Sequence, residues 1–312
     1  MIQDMDWQES EDLAGAVRAA AAQLAEAGVQ NPVLDAELLA GHLLGMGLGE
    51  VRAVALRGAQ IPPGYPELVA QRVRRVPLQH LTGIAPFRHL ELAVGPGVFI
   101  PRPETEIVAQ AAIEELQRLV SCAQAPVGAP IAIDLGTGSG ALALALASEV
   151  PEARVYAVEL SALAAAWAER NIQRTGLAVT LQQADMREAF PELEGRADVV
   201  VSNPPYIPDE AVPVDPEVAE HDPELALYGG GPEGMTLPAA AAHRAAKLLR
   251  PGGYFIMEHA ESQAAAARRV LLAEGFAEVE GHRDLTGRDR ATGGRLAANG
   301  RKHGHQSERM ST

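Results

Sequence analysis

The chain has 312 residues, 47% hydrophobic and 21% charged, which is enough for two domains of ordinary globular composition. Its formal charge is −15, and because 288–312 hold six basic and two acidic residues, residues 1–287 carry −19, a sign that repels a polyphosphate and argues against a nucleic-acid partner. Cys122 is the only cysteine, no apolar run approaches the length of about 18 residues that a membrane span needs, and the first twelve residues carry acids where a signal peptide carries bases; a cytoplasmic protein is expected, with no disulfide, no metal cluster and no membrane partner.

In chain order, Leu13, Val17, Ala20, Ala21 and Leu24 recur at helical spacing, with Ser10 as the expected N-cap and Gly28 as the stop. Pro32 opens a second helix lined by Val33, Leu34, Leu38, Leu39 and Leu43 and ended by Gly45; shorter patterns cover 51–56 and 66–76. Residues 1–84 therefore read as a small helical domain for substrate recognition. Alternation between Pro86 and Ile100, with Leu90, Leu92 and Val94 on one face, predicts a β-hairpin connector over 85–103. From about Glu104, Ile107, Val108, Ala111, Ala112 and Leu116 give a helix, and Ser121–Pro130 reads as a loop.

From Ile131, short apolar strands alternate with helical patterns, the order of a parallel α/β sheet. Strands are expected near 131–134, 154–158, 178–183, 198–202, 253–257, 276–282 and 290–298, and helices near 140–149, 161–174, 237–249 and 261–274. This second domain spans 104–298. Residues 299–312 have no apolar face and read as a disordered tail, in which His303 and His305 lack a third metal ligand.

Two stretches carry chemistry. Asp134-Leu135-Gly136-Thr137-Gly138-Ser139-Gly140 stands between the first strand of this domain and a helix, where glycines let a cofactor approach the backbone. Glu159, at the end of the next strand, is placed to accept from both hydroxyls of a ribose, and Asp185, closing the third, from an adenine amino group. No G-x-x-x-x-G-K-[ST] motif is present, so phosphate transfer lacks its lysine. Asn203-Pro204-Pro205-Tyr206 then ends the fourth strand in a corner stiffened by two prolines, which offers backbone carbonyls, the Asn oxygen and a flat ring to a planar NH2 group. An adenosine-bearing cofactor beside an NH2-holding corner suggests S-adenosyl-L-methionine and N-methylation, of either an adenine or an amide.

The chain resembles the HemK/PrmC release-factor glutamine methyltransferases. The likeness runs through Arg74-Arg75, Pro77, Thr82-Gly83, the stretch 98–106 (Val-Phe-Ile-Pro-Arg-Pro-Glu-Thr-Glu), 134–140, Ser202 to Ile207, Leu225-Ala226-Leu227 before Gly229-Gly230, and 283–290. The resemblance implies a seven-stranded, Rossmann-like S-adenosylmethionine-dependent methyltransferase domain behind the helical domain. It implies N5-methylation of the Gly-Gly-Gln glutamine of class 1 peptide chain release factors, by a protein expected to be a monomer. Carried over by position, Gly136, Thr137, Gly138, Ser139 and Gly140 cradle the methionine part, Glu159 takes the ribose, and Asp185 and Met186 flank the adenine. Asn203, Pro204, Pro205 and Tyr206 hold the glutamine, with Asn203, Pro204 and Tyr206 in the catalytic roles. Met186 stands where relatives often have an aromatic residue, but a methionine also packs on a purine. The alternatives are a glutamine methyltransferase acting on a ribosomal protein, which shares N-P-P-Y, and an N6-adenine methyltransferase.

An amide nitrogen is a poor nucleophile, so the expected mechanism is positional. Asn203 Oδ1 and the Pro204 carbonyl each accept one amide N–H, and Tyr206 stacks on the amide plane. No histidine base is required; His221 and His259 read as core or surface residues. Arg102 and Glu104 are expected to pair with each other near the pocket mouth.

Overall fold

The computed structural model describes residues 12–122 and 128–298. Ser10, part of the 121–130 loop and the 299–312 tail lie outside the described residues. In chain order the elements are α1 (Leu13–Glu26), α2 (Pro32–Leu44), α3 (Leu48–Ala55), α4 (Tyr65–Val73), α5 (Leu78–Thr82), β1 (Ile84–Phe87) and β2 (Leu90–Ala93). A 3-10 turn, Pro103–Thr105, leads into α6 (Glu106–Ser121). Then follow β3 (Ile131–Leu135), α7 (Ala141–Glu149), β4 (Arg154–Glu159), α8 (Ala162–Thr175), β5 (Val179–Gln183), β6 (Ala197–Ser202), α9 (Pro216–His221) and α10 (Glu224–Leu227). The last are α11 (Thr236–Leu248), β7 (Leu249–Glu258), α12 (Ala264–Ala273), β8 (Phe276–Arg283) and β9 (Asp289–Leu296).

These elements form two compact units, one from the chain up to Ile84 together with Pro213–His221, the other from Ala85–Val212 together with the chain from Asp222 onward. In the first unit Asp12, not Ser10, caps α1: its side chain accepts from Gly15 N at 2.8 Å, which satisfies one of the helix's orphan donors. Pro32 opens α2 and Gly45 ends it at φ 63°, the left-handed cap for which glycine is suited. Leu13, Leu24, Leu39 and Tyr65 fill the core, and the Tyr65 hydroxyl donates to the Ala36 carbonyl at 2.9 Å. The short helix α5 was not legible as a pattern, being five residues long.

The first unit also holds a buried ion cluster. Arg72 bonds Asp35 at 2.7 Å and Glu217 at 2.8 Å, and Arg75 grips the same Glu217 with two nitrogens. Against the burial that would raise it, bonding to Arg75, Asp215 and Arg72 holds the Glu217 carboxyl well below the usual carboxylate range. Burying charges is tolerable only when they are so paired.

The second unit is built on a seven-stranded sheet in the order β5-β4-β3-β6-β7-β9-β8, with β9 antiparallel to both β7 and β8. The other neighbours are parallel. Every residue of β3 and β6 is buried, as parallel strands covered on both faces require. One face packs with Val108, Ile113 and Leu116 of α6 and Leu142, Leu144 and Leu146 of α7; the other packs with Ala241, Ala245, Leu248 and Leu271 of α11 and α12.

The connector hairpin β1-β2 does not keep the expected alternation, since Leu92, Ala93 and Val94 are all buried. The end of β2 and the residue after it are covered on both sides: Leu92 packs with Phe87 and Val108, while Val94 packs with Val98, Ile100 and Ala164. The short helices α9 and α10 fall in 203–235, where neither a 3.6 nor a 2 period marks the sequence.

Candidate functional site

The parallel register brings the two predicted stretches to one edge. Leu135 of β3 is level with Ser202 of β6, and the Ser202 hydroxyl donates to the Leu135 carbonyl at 2.7 Å. The 136–140 loop and the Asn203–Tyr206 corner therefore leave neighbouring strands side by side at the carboxyl edge, where ligands of open α/β sheets bind. Glu159 follows Val158, which is level with Leu135 on the other side.

At the corner, Asn203 Nδ2 donates to Thr105 Oγ1 at 3.2 Å. Among the described residues no hydrogen bond takes Asn203 Oδ1 or the Pro204 carbonyl, so two neighbouring acceptors are uncommitted. Tyr206 is held from three sides: its N–H donates to the Leu227 carbonyl at 3.1 Å, its carbonyl accepts from Gln263 Nε2 at 2.7 Å, and its hydroxyl donates to Glu258 Oε1 at 3.1 Å. Burial, then the Glu258 carboxyl, pushes the Tyr206 hydroxyl far above the usual phenol range, so it remains a donor. Glu258, at the end of β7, is itself buried, and burial raises its pKa to about 7 despite the Thr105 and Tyr206 hydroxyls.

Glycines outside the predicted site make the corner possible. A Cβ at Gly229 would stand 2.6 Å from the Pro205 carbonyl oxygen and 2.8 Å from Tyr206 Cα. One at Gly234, where φ is 66°, would collide with the Tyr206 carbonyl oxygen. Both contacts are closer than any real Cβ tolerates, so the 229–234 segment packs backbone to backbone against the corner.

The cofactor edge is held differently. Gly136 and Gly138 have φ 79° and 57°, and a Cβ added at either would meet nothing within 4 Å, so open space lies beside the loop. Thr137 and Ser139 point inward: the Thr137 hydroxyl donates to Asp134 Oδ2 at 2.6 Å, and the Ser139 carbonyl accepts from Asn171 Nδ2 at 2.9 Å. Asn171 also exchanges both its polar groups with Ala93 of β2, which clamps the loop to the hairpin. Burial raises the Asp134 carboxyl to about 7, against the pull of Thr137 and the Ala143 N–H.

The two acids at the strand ends are already engaged. Glu159 Oε2 accepts from Gly138 N and Oε1 from Ser161 N, both at 2.8 Å. Each carboxylate oxygen has a further lone pair, so acceptance from two hydroxyls remains open. Asp185 is chelated by its neighbour Arg187 at 2.5 to 3.0 Å, and that bonding lowers its pKa. Met186 packs partly into the sheet core rather than standing free.

Arg102 does not pair with Glu104. Its guanidinium bonds the buried Asp222 at 2.8 Å and lies 5.3 Å over the Phe99 ring, because the extended Arg102 backbone sends the side chain away from the 3-10 turn that holds Glu104. His259 is buried with one ring nitrogen 2.9 Å from the Ala260 carbonyl and the other 2.8 Å from the Thr292 hydroxyl, and burial lowers its pKa. Both nitrogens are spoken for, so it has none left for a substrate proton. Among the described residues no group of three or more His, Cys, Asp or Glu could hold a metal ion, and no single helix is long and apolar enough to cross a membrane.

Sequence reading missed Thr105, Glu258 and Gln263 as parts of the corner. Glu258 did leave a signal, an acid ending the apolar run 254–257, whereas Thr105 stood in the 98–106 stretch with no role assigned to it.

Residues 115–220 match the Methyltransferase small domain family and residues 15–83 the PrmC N-terminal domain family. A solved methyltransferase from Pyrococcus furiosus is 20% identical, covering 67% of this chain and 90% of that one, with a TM-score of 0.47. A 4-amino-L-phenylalanine/4-methylamino-L-phenylalanine methyltransferase of Streptomyces pristinaespiralis is 41% identical, over 84% of this chain and 88% of its own. The release factor glutamine methyltransferase of Streptomyces coelicolor is 48% identical, over 90% of this chain and 97% of its own, and that of Mycolicibacterium smegmatis 46%, over 88% and 94%. Identity at that level along nearly the full length of both proteins shows that the chain belongs to the release factor glutamine methyltransferase family.

Proposed function

We propose that the protein transfers a methyl group from S-adenosyl-L-methionine to the side-chain amide nitrogen of the glutamine in the Gly-Gly-Gln motif of class 1 peptide chain release factors. It would act as a cytoplasmic monomer without a nucleic-acid or membrane partner. The observation that carries the reading is the pair of uncommitted acceptors, Asn203 Oδ1 and the Pro204 carbonyl, beside the open 136–140 loop. S-adenosylmethionine, when bound, supplies an electrophilic methyl carbon. Gly136 to Gly140, Glu159, Asp185 and Met186 are the residues that would hold it, and the free space beside Gly136 and Gly138 fits a ligand lying on the loop.

The chain's own part in the reaction is positional. Two adjacent acceptors take the two N–H groups of one primary amide, which points its nitrogen lone pair out of the corner and fixes it for attack; alignment of this kind is worth up to about 7–11 kcal/mol. The Tyr206 ring, pinned at its N–H, carbonyl and hydroxyl, walls the amide from water. The methylated nitrogen is acidic enough to lose its surplus proton to solvent, so the engaged His259 is not needed.

A purified release factor incubated with this protein and S-adenosylmethionine, then digested and weighed, tests the reading. One added methyl on the Gly-Gly-Gln glutamine is expected; no methyl there overturns it. The corner recognises any planar NH2, and the Streptomyces pristinaespiralis relative is named for an arylamine substrate, so 4-amino-phenylalanine belongs in the same assay. Methylation of that amine alone, of a ribosomal protein or of adenine would replace the release-factor reading.

A further inference from the structure

A glycine-rich loop has few side chains of its own to fix it. Gly136, Gly138 and Gly140 stand at φ 79°, 57° and 89°, and a backbone so free in the left-handed region keeps one shape only when it is tied from outside. One tie works through the start of α8, where Glu159 holds Gly138 N and the N–H of the N-cap Ser161, each at 2.8 Å. A second comes from the last part of the same helix, from Asn171.

Asn171 is 1% exposed, and its amide is used nearly to capacity. Oδ1 accepts from Ala93 N at 2.7 Å, and Nδ2 donates to the Ala93 carbonyl and to the Ser139 carbonyl, both at 2.9 Å. Exchanging both bonds with one backbone residue is what a neighbouring antiparallel strand does, so Asn171 serves the end of β2 as a strand one residue long. That pairing also fixes which way round the amide lies. The Ala93 N–H cannot turn and is met only by the oxygen, which leaves the NH2 facing Ser139. The Ser139–Gly140 peptide is then held at both its polar groups, the carbonyl by Asn171 and the Gly140 N–H by the Thr137 carbonyl at 2.9 Å.

The rest of that helix face carries the hairpin connector. Leu163, Trp167 and Asn171 recur every four residues, which stacks them on one side of α8. A Cβ at Gly95 would stand 2.6 Å from the Trp167 ring and one at Gly97 3.0 Å from Leu163, and Trp167 Nε1 donates to the Pro96 carbonyl at 3.3 Å. Residues 93–97 therefore lie down along α8. Among the described residues, the hydrogen-bonded link from there to the glycine loop is the Asn171 amide.

We infer that Asn171 is a positioning residue that couples the cofactor loop to the hairpin connector: a ligand seated on 136–140 restrains Ser139, Ser139 restrains Asn171, and Asn171 restrains Ala93. Such a coupling acts in both directions. Breaking the link weakens the hold on the cofactor, and filling the loop tightens the end of β2. The inference rests on the proposed seat of S-adenosylmethionine on that loop. Asn171 acts through Ser139 rather than on the reacting atoms, so its loss falls on cofactor affinity and not on the transfer step.

Amide hydrogen exchange of the full chain, with and without saturating S-adenosylmethionine, is the test. The amides of 136–140 and that of Ala93 should both gain protection, Ala93 by on the order of tenfold. Protection confined to the loop overturns the inference and keeps the seat of the cofactor; protection at neither overturns both. Asn171→Asp keeps an oxygen for the Ala93 N–H and loses the donor to Ser139, so Ala93 should no longer respond to the cofactor. By calorimetry that variant should bind S-adenosylmethionine roughly 30-fold more weakly, with kcat on a release factor at saturating cofactor within about threefold of wild type. Unchanged affinity, or a response of Ala93 that survives the substitution, overturns the inference. Trp167→Phe removes the neighbouring tie to Pro96 and should leave the affinity within about twofold; a loss as large as that of Asn171→Asp would mean general loosening of α8 and would also overturn it. The exchange result on the wild type stands even where Asn171→Asp fails to fold.

Discussion

The two halves of the site are built by opposite means. The polar groups of the cofactor edge are tied mostly to near neighbours: Glu159 bonds the N–H of Ser161 two residues on, Asp185 is chelated by Arg187 two residues on, and Thr137 reaches back to Asp134, with Asn171 and the Glu159–Gly138 bond as the longer ties. The corner is tied at long range, with Asn203 on Thr105, Tyr206 on Glu258 and Gln263, and Gly229 and Gly234 pressed against its backbone. An edge tied mostly to near neighbours depends less on the rest of the domain. A corner assembled from α6, β7 and the 229–263 region exists only when the whole sheet is in place, and it fails as a unit.

Substitutions should separate the two halves. Asn203→Ala removes an acceptor that nothing replaces, and kcat on a release factor should drop on the order of 100-fold with S-adenosylmethionine binding retained; near-normal turnover would break the comparison at its strongest point. Gly229→Ala places a Cβ 2.6 Å from the Pro205 carbonyl oxygen. Overpacking of that kind costs about 1–3 kcal/mol and shifts the corner, so a fall of roughly 30-fold in kcat, with a lowered melting temperature, is expected. Glu159→Gln turns an NH2 onto a backbone N–H at Gly138 or Ser161, and calorimetry should find about tenfold weaker cofactor binding, with kcat at saturation little changed. Asp185→Ala should weaken binding least, by roughly threefold, because the exposed Arg187 already occupies the half-buried carboxylate. A large loss there would mean that Arg187 swings away when the cofactor arrives.

The same contrast explains what the sequence made legible. Strands and helices of the second unit fell close to their expected places because periodicity is a local property, and Asp134 to Gly140, Glu159 and the N-P-P-Y corner announced themselves by spacing from strand ends. The partners of Asn203 and Tyr206 could not be read that way. Thr105 is 98 residues and Glu258 52 residues from the side chain it serves; the register of β6 on β7 brings Glu258 in, and the packing of α6 on the sheet brings Thr105. Arg102 was misassigned for the same reason, its partner Asp222 being 120 residues away rather than two.

The return of Pro213–His221 to the first unit has a consequence for how the gene can be cut. Glu217 supplies the carboxylate that Arg72 and Arg75 share inside that unit, yet it is encoded after the fourth strand of the large sheet. A fragment ending at residue 84 would leave Arg72 with Asp35 alone and Arg75 with no carboxylate. Any exchange of the first unit between relatives therefore has to transplant two separate pieces of coding sequence, and a crossover at 84 alone yields a chimera mismatched at its own ion cluster.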